Sequence, residues 1–276
     1  MEKVERESLD DIGGAFRHKP HLLLKSLDAV VRNEKILDAV EDLIGPDIFV
    51  WASLFFTKDV GDTRYVGWHQ DSTYWGLSGP EVINVWVAFS PATVQSGAMR
   101  ILPGTHLDGQ IAHRETYNKQ NILTRGQEVE TDIDEDKAVD IELEPGEFSL
   151  HHIRAIHGSG ANHADDRRIG FTIRYIPTHL HQIHGRDRAL LVRGKDEFGN
   201  FDHETSPDGD LSEQAIANYI AANESHNSIL YSGAAEKGVW GRAFTVRRWL
   251  QASPLAGRPP EHSCPPRSCW RKIRKA

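Results

Sequence analysis

The stretch Gly67-Trp68-His69-Gln70-Asp71 lies in an aromatic-rich run from position 65 to 75 and places an imidazole two positions from a carboxylate. On a β-strand, side chains at positions i and i+2 point to the same face. His69 and Asp71 are therefore predicted to project side by side into the space that the strand faces. Alone, a His-x-Asp pair is a weak signal, because a structural histidine beside a solvated carboxylate gives the same pattern.

Two downstream features strengthen this pattern. His157 stands directly before Gly158-Ser159-Gly160, where a backbone without bulky side chains lets a ligand approach closely. Arg168 opens a later strand, where its guanidinium could receive a carboxylate in a bidentate fork. Two imidazoles and one carboxylate form the open metal site of non-haem iron(II) oxygenases. The pattern therefore indicates an oxygenase of that kind.

The chain around these residues reads as short strands between helical ends. Apolar residues in positions 22–44 recur at helical spacing; Asn33 is a candidate cap for the second helix, and Gly45-Pro46 is predicted to end it. Positions 211–224 read as another helix, and the polar positions 108–137 as a long lid or binding loop. Strands at intervals of about ten residues favour a jelly-roll. The clearest strand segments are 48–56, 82–89, 138–143, 148–152 and 169–176.

The composition limits the classes of function. The 276 residues carry a net charge of −8, and no apolar run approaches the ~18 residues that span a bilayer. An acidic body argues against nucleic acid as a partner. Cys264 and Cys269 are the only cysteines, so the body has no disulfide framework. We expect a cytoplasmic protein that acts on a small molecule without a membrane or nucleic-acid partner; the sequence leaves its oligomeric state open.

We predict one domain over residues 1–250. It consists of a helical N-terminal flank (1–47), a jelly-roll core (48–178) and a C-terminal loop and helix (179–250). Residues 251–276 are rich in proline and basic residues and lack hydrophobic periodicity, so we expect a disordered basic tail there.

The ordered motifs of the core resemble the phytanoyl-CoA dioxygenase superfamily. These enzymes are iron(II)- and 2-oxoglutarate-dependent oxygenases with a mainly β fold, a cupin-like double-stranded β-helix with flanking helices. The resemblance runs over about residues 45–180. It is carried by Gly67 to Asp71, Val85-Trp86-Val87-Ala88-Phe89, Ser96 to His106, Pro145-Gly146-Glu147, His157 to Asn162, and Arg168 to Tyr175.

The resemblance implies roles for individual residues. His69, Asp71 and His157 would bind iron, and Arg168 would hold the distal carboxylate of 2-oxoglutarate. Ser159 would assist Arg168, and Trp86 would line the cosubstrate pocket. The implied reaction is hydroxylation of a small organic metabolite with O2, releasing succinate and CO2. Candidate substrate contacts are Tyr74, Trp75, Asn84, His152 and Arg174.

Other functions remain open at this point. Halogenases of the same superfamily carry Ala or Gly at the position of Asp71, so the carboxylate here favours hydroxylation over halogenation. Another oxidative tailoring reaction of the superfamily stays an alternative. A non-catalytic jelly-roll binding module with vestigial histidines is a second alternative. A hydrolase or isomerase that uses another divalent metal is a third. Dependence on oxygen and on 2-oxoglutarate separates the oxygenase from the last two.

Overall fold

The computed structural model describes residues 18–123 and 125–230, without the side chains of Tyr74, Asn227, Ser228 and Leu230. The first 17 residues of the predicted helical flank, positions 231–250 and the predicted basic tail lie outside the described residues. No helix in the described part is both long and apolar enough to cross a membrane.

Two short helices precede the strands, α1 (Lys25–Val31) and α2 (Glu34–Ile44), and a third, α3 (Glu213–Leu230), follows them. The predicted cap of α2 is confirmed, since the Asn33 side chain accepts a hydrogen bond from the backbone N–H of Lys35 at 3.0 Å. Gly45 ends α2 with a φ of 87°, a conformation that favours glycine.

Twelve strands are assigned among the described residues. They are β1 (Ile48–Lys58), β2 (Val66–His69), β3 (Ile83–Ala88), β4 (Met99–Ile101), β5 (His113–Glu115), β6 (Gln127–Val129), β7 (Val139–Ile141), β8 (Phe148–His152), β9 (His157–Ser159), β10 (Arg168–Pro177), β11 (Arg188–Arg193) and β12 (Asp202–His203). The predicted mainly β class with flanking helices is confirmed.

Two sheets make the body of the fold. The larger has the order β12-β11-β1-β10-β3-β8, and the smaller has the order β2-β9-β4-β7. The strands β5 and β6 form a separate hairpin inside the long polar segment that the sequence predicted as a loop. Because residues of both sheets line one pocket, the two sheets enclose the candidate site between them.

The two faces of the larger sheet differ: one packs on the helices, and the other lines the pocket. Its apolar face packs against α1 and α2, where buried Leu27 and Val40 meet Val85, Ile173 and Tyr175. Because side chains alternate along a strand, the residues between these positions point the other way. The cross-strand register places Arg174 opposite Asn84 and Asn84 opposite His151 on that second face, which lines the pocket.

Candidate metal centre

His69 and His157 meet because two antiparallel strands place them opposite each other. His69 is the last residue of β2, His157 is the first of β9, and the two are direct cross-strand partners. Their ring centroids lie 4.2 Å apart, and both residues are buried. The pairing brings together two imidazoles that are 88 positions apart in the sequence.

Each of these imidazoles is held by the backbone of its own segment. His69 Nδ1 lies 2.8 Å from the carbonyl oxygen of Gly67, and His157 Nδ1 lies 3.0 Å from that of Ala155. A carbonyl oxygen only accepts, so both Nδ1 atoms carry the proton and both Nε2 atoms keep a free lone pair. The two Nε2 atoms are thus available as metal ligands, in the manner of metal-binding histidines whose other nitrogen donates to the protein.

Asp71 completes the group from a tight turn and not from the strand itself. The strand β2 ends at His69, and Asp71 begins a 3-10 turn over Asp71–Tyr74, where its backbone N–H donates to Ile153 O at 3.0 Å. Its carboxylate oxygens lie 3.5 Å from His69 Nε2 and 3.7 Å from His157 Nε2. The predicted neighbours therefore converge, but through a turn instead of strand alternation.

The three side chains fit a single cation. One ligand atom from each of His69, Asp71 and His157 lies within 4.8 Å of the other two, and this is the only such group of three found among the described residues. An acid with two neutral imidazoles is the ligand set of facial-triad iron(II) sites. The donor chemistry and the spacing thus suit a divalent metal with open positions.

The electrostatics keep these ligands in their metal-binding forms. Burial, together with the nearby His69, lowers the pKa of His157 to about 3, so its ring is neutral near pH 7. Burial alone would raise the pKa of the Asp71 carboxyl, but nearby basic side chains, Arg174 among them, lower it far below its usual range. The Asn84 side-chain amide also donates to Asp71 Oδ2, which fixes the carboxylate.

Arg168 and Trp86 lie together at one end of the pocket. Arg168 is 3% exposed, its guanidinium lies 5.6 Å from the Trp86 ring centroid, and it donates to the carbonyl of Gly97. Burial lowers the pKa of Arg168 to about 10, so the group stays cationic near neutral pH. A Cβ added to Gly170 would lie 2.0 Å from Trp86, so only glycine leaves room for the indole.

Lys58 is a functional candidate that the sequence reasoning missed. It lies two positions beyond the predicted strand 48–56, yet it is the last residue of β1, fully buried and directly opposite Arg168. Its Nζ donates to Ser159 Oγ at 2.8 Å and to the carbonyl of Gly160. Burial and then the charge of Arg168 lower the pKa of Lys58 to about 7. Two basic groups and the Ser159 hydroxyl therefore cluster at this end.

Asn84 and Arg174 line the pocket as the sequence proposed for substrate contacts. Trp75 reaches the site indirectly, since its ring lies 3.9 Å below the guanidinium of Arg174. His152 pairs with Ile83 and points away from the pocket face, where its ring lies 5.5 Å from that of His106. The histidine of β8 that lines the pocket is His151. The side chain of Tyr74 lies outside the described residues.

The pocket face holds several buried polar atoms without a hydrogen-bond partner among the described residues. Such atoms cost free energy unless a ligand or water pairs with them, so their concentration suits polar cosubstrates. They are Asn84 Oδ1, Ser149 Oγ, His151 Nδ1, Arg168 Nε, Thr172 Oγ1 and Arg174 Nε.

Comparisons with known proteins agree with this chemistry. Residues 5–170 match the family model described as phytanoyl-CoA dioxygenase (PhyH), which extends into the helical flank ahead of the motifs. A probable alpha-ketoglutarate-dependent hypophosphite dioxygenase from Stutzerimonas stutzeri is 30% identical over 64% of this chain and 63% of its own length. A phytanoyl-CoA dioxygenase domain-containing protein from Danio rerio is 30% identical over 61% and 57%, respectively. The matches thus span less than two thirds of these relatives.

Solved structures place the fold. The apo form of the non-heme monooxygenase ThoJ has a TM-score of 0.73 and 35% identity, covering 83% of this chain and 84% of that one. CytC3 with Fe(II) and alpha-ketoglutarate has a TM-score of 0.56 and 24% identity over 76% and 85% of the two chains, a likeness of fold.

Proposed function

The chain belongs to the phytanoyl-CoA dioxygenase family, and on that premise we propose that it is an Fe(II)- and 2-oxoglutarate-dependent dioxygenase that hydroxylates a small organic metabolite. One observation carries the proposal: His69, Asp71 and His157 converge in a pocket that also contains the buried guanidinium of Arg168. Succinate and CO2 are the expected coproducts. A cytoplasmic location belongs to the same proposal, supported by the cysteine usage of the chain.

In this mechanism the protein residues bind, orient and exclude water. Iron(II), held by His69, Asp71 and His157, would supply the activation of O2 that is coupled to oxidation of 2-oxoglutarate. The remaining residues fix the geometry. Asn84 holds the Asp71 carboxylate, and both histidines keep their protons on Nδ1, so all three ligands point inward without rearrangement.

The end of the pocket that contains Arg168 suits the distal carboxylate of 2-oxoglutarate. Arg168 would pair with the distal carboxylate of 2-oxoglutarate, and Trp86 would support the guanidinium from below. Ser159 would donate a second hydrogen bond to the same carboxylate, since Lys58 Nζ already occupies a lone pair of its oxygen and leaves its proton free. Burial of this end strengthens each of these charge-assisted contacts.

Hydroxylation is favoured over halogenation because the third ligand is a carboxylate. The halogenases of this superfamily leave that position to a halide by carrying Ala or Gly there. Here Asp71 supplies the oxygen ligand, and Asn84 and the backbone of Ile153 both hold it in place. Hypophosphite, which appears in the name of the Stutzerimonas stutzeri relative, is a small molecule to test as a substrate of this chain.

The test of the proposal is the variant Asp71→Ala beside a matched control, Asp140→Ala, on the partly exposed strand β7. Anaerobic Fe(II) and 2-oxoglutarate should give a visible charge-transfer band with the parent and with the control. Succinate release should be lost in Asp71→Ala and retained in the control. If folded Asp71→Ala turned over 2-oxoglutarate at the parental rate, the assignment would be wrong. Absence of the band in the parent would instead point to a binding module.

A further inference from the structure

One strand presents two guanidiniums to the same pocket. Arg168 opens β10 and Arg174 follows six residues later, so both lie on the pocket face at about 20 Å along the strand. Thr172 lies between them on that face. The metal ligands lie near the Arg174 end of this row, because Asp71 accepts from Asn84, the cross-strand partner of Arg174. The proposed function gives Arg168 a cosubstrate and leaves Arg174 without a role.

Each guanidinium rests on a tryptophan. Arg168 lies 5.6 Å from the ring centroid of Trp86, and Arg174 lies 3.9 Å from that of Trp75 and 6.0 Å from that of Trp51. A cation–π contact does not use up the N–H groups of the guanidinium, which can still donate hydrogen bonds. The Arg174 end therefore has the same construction as the end that receives a carboxylate.

Arg174 does not act as the ion-pair partner of Asp71. Within the described residues its guanidinium has no hydrogen bond and no carboxylate oxygen within 4.0 Å, and its buried Nε lacks a partner. An arginine that served only to neutralise Asp71 would form the short charge-assisted pair that this geometry does not contain. Its donors therefore remain available to a ligand in the pocket.

The neighbours of Arg174 favour an oxyanion over a neutral group. Burial lowers its pKa to about 10, so the side chain remains cationic near neutral pH. Thr172 Oγ1 on the same strand and His151 Nδ1 across the sheet are also buried without partners and can each donate a hydrogen bond. A cation with two neutral donors around one space matches the demands of several anionic oxygens.

Resting on the proposed function, we propose that the substrate carries an oxyanion, a carboxylate or a phosphonate-type group, and that Arg174 holds this group beside the metal. Carboxylate and phosphonate share the bidentate oxygen geometry that a guanidinium recognises. Binding of the oxyanion by Arg174 would orient the substrate with its C–H or P–H bond toward the metal face. Arg174 is then a specificity-determining residue, distinct from the Arg168 that serves the cosubstrate.

The experiment uses the full chain loaded anaerobically with Fe(II) and 2-oxoglutarate. The probes are hypophosphite, alkylphosphonates of one to eight carbons, carboxylates of two to eight carbons, and the amides of these carboxylates. Calorimetry gives the dissociation constant of each probe, and succinate release in air gives turnover. We expect acids to bind about 10-fold or more tightly than their amides, and Arg174→Gln to remove that preference. The two acid series separate a carboxylate from a phosphonate substrate.

Two controls make the outcome decisive. Arg186→Gln removes an exposed guanidinium outside the pocket lining and should leave every acid affinity unchanged. In Arg174→Gln, the dissociation constant of 2-oxoglutarate should change less than twofold. The proposal is overturned if no acid binds, if acids and amides bind equally, or if Arg174→Gln weakens 2-oxoglutarate as much as the acid. The proposed function is tested by the charge-transfer band, and its absence in the parent would overturn that function. The preference for acids over amides is a separate calorimetric readout that tests the role of Arg174.

Discussion

The substitution Gly170→Ala tests whether Trp86 positions the cosubstrate end of the pocket. An added Cβ would lie 2.0 Å from Trp86 Cζ2 and 2.3 Å from Cε2, far inside van der Waals contact. Both residues are buried in the larger sheet, and Gly170 pairs with β1 and β3 on its two sides, so the backbone cannot retreat. The indole must therefore move, and with it the support beneath the Arg168 guanidinium.

The magnitude follows from two terms. Forcing one extra methyl into a packed interior costs about 1–3 kcal/mol of folding stability. Loss of a partly buried cation–π contact costs roughly 0.5–2 kcal/mol, which corresponds to about a 2- to 30-fold weaker dissociation constant for 2-oxoglutarate if that contact holds Arg168 in place. Affinity for Fe(II) should change little, because the three metal ligands lie on other elements.

The assays are denaturant unfolding and titration of 2-oxoglutarate into Fe(II)-loaded protein without oxygen. Gly209→Ala is the matched control, since an added Cβ there would meet only Ser212 Cβ, at an ordinary 3.6 Å. The reasoning is refuted if Gly170→Ala binds 2-oxoglutarate as the parent does and unfolds at the same denaturant concentration. It is also refuted if Fe(II) affinity falls as far as 2-oxoglutarate affinity.

Three further outcomes are expected. Asn84→Ala removes the amide that holds Asp71 and should weaken Fe(II) binding by about 10- to 100-fold in a metal titration, and an unchanged affinity would contradict the role. Lys19→Met leaves the buried Glu204 carboxylate without its partner at 2.5 Å and should cost about 3–5 kcal/mol in denaturant unfolding. The double variant Lys19→Met/Glu204→Gln should recover much of the lost unfolding free energy, because it leaves no unpaired buried charge. An equal loss in the single and double variants would contradict this expectation. Because the pKa of Lys58 is lowered to about 7, the unfolded chain holds this proton to a higher pH than the folded chain does. The unfolding free energy of the parent relative to Lys58→Met should therefore rise from about pH 7 to pH 10, and a flat difference would exclude the shift.

The strands could be predicted because the pattern of apolar residues that marks a strand is a local property of the sequence. Runs such as 169–176 keep their pattern whatever they pair with, so the sequence shows them locally. The meeting of His69 and His157 has no such local signal, because it depends on one cross-strand register between distant segments. Ligand chemistry and the family resemblance grouped these two residues, but neither predicts the cross-strand register that brings them together.

The misplaced details have the same physical origin. His152 was chosen over His151, and nothing in their shared strand decides which one faces inward. Pairing with β3 decides it, because Asn84 opposes His151 and Ile83 opposes His152. Lys58 was left outside the predicted strand 48–56, and a lysine is seldom fully buried. Its burial depends on Ser159 and Gly160, which arrive from about 100 positions away.

The placement of Arg168 and Arg174 on one strand also constrains which molecules react. The strand β10 is hydrogen-bonded to a neighbour on each side, so the interval between its two anchors cannot stretch to suit a guest. Members of a homologous series of acids would then share an anchor but differ in reach. Those whose reactive bond falls short of the metal, or passes it, would occupy the pocket as competitive inhibitors. Chain length would select the product, while head-group affinity would stay nearly constant along the series.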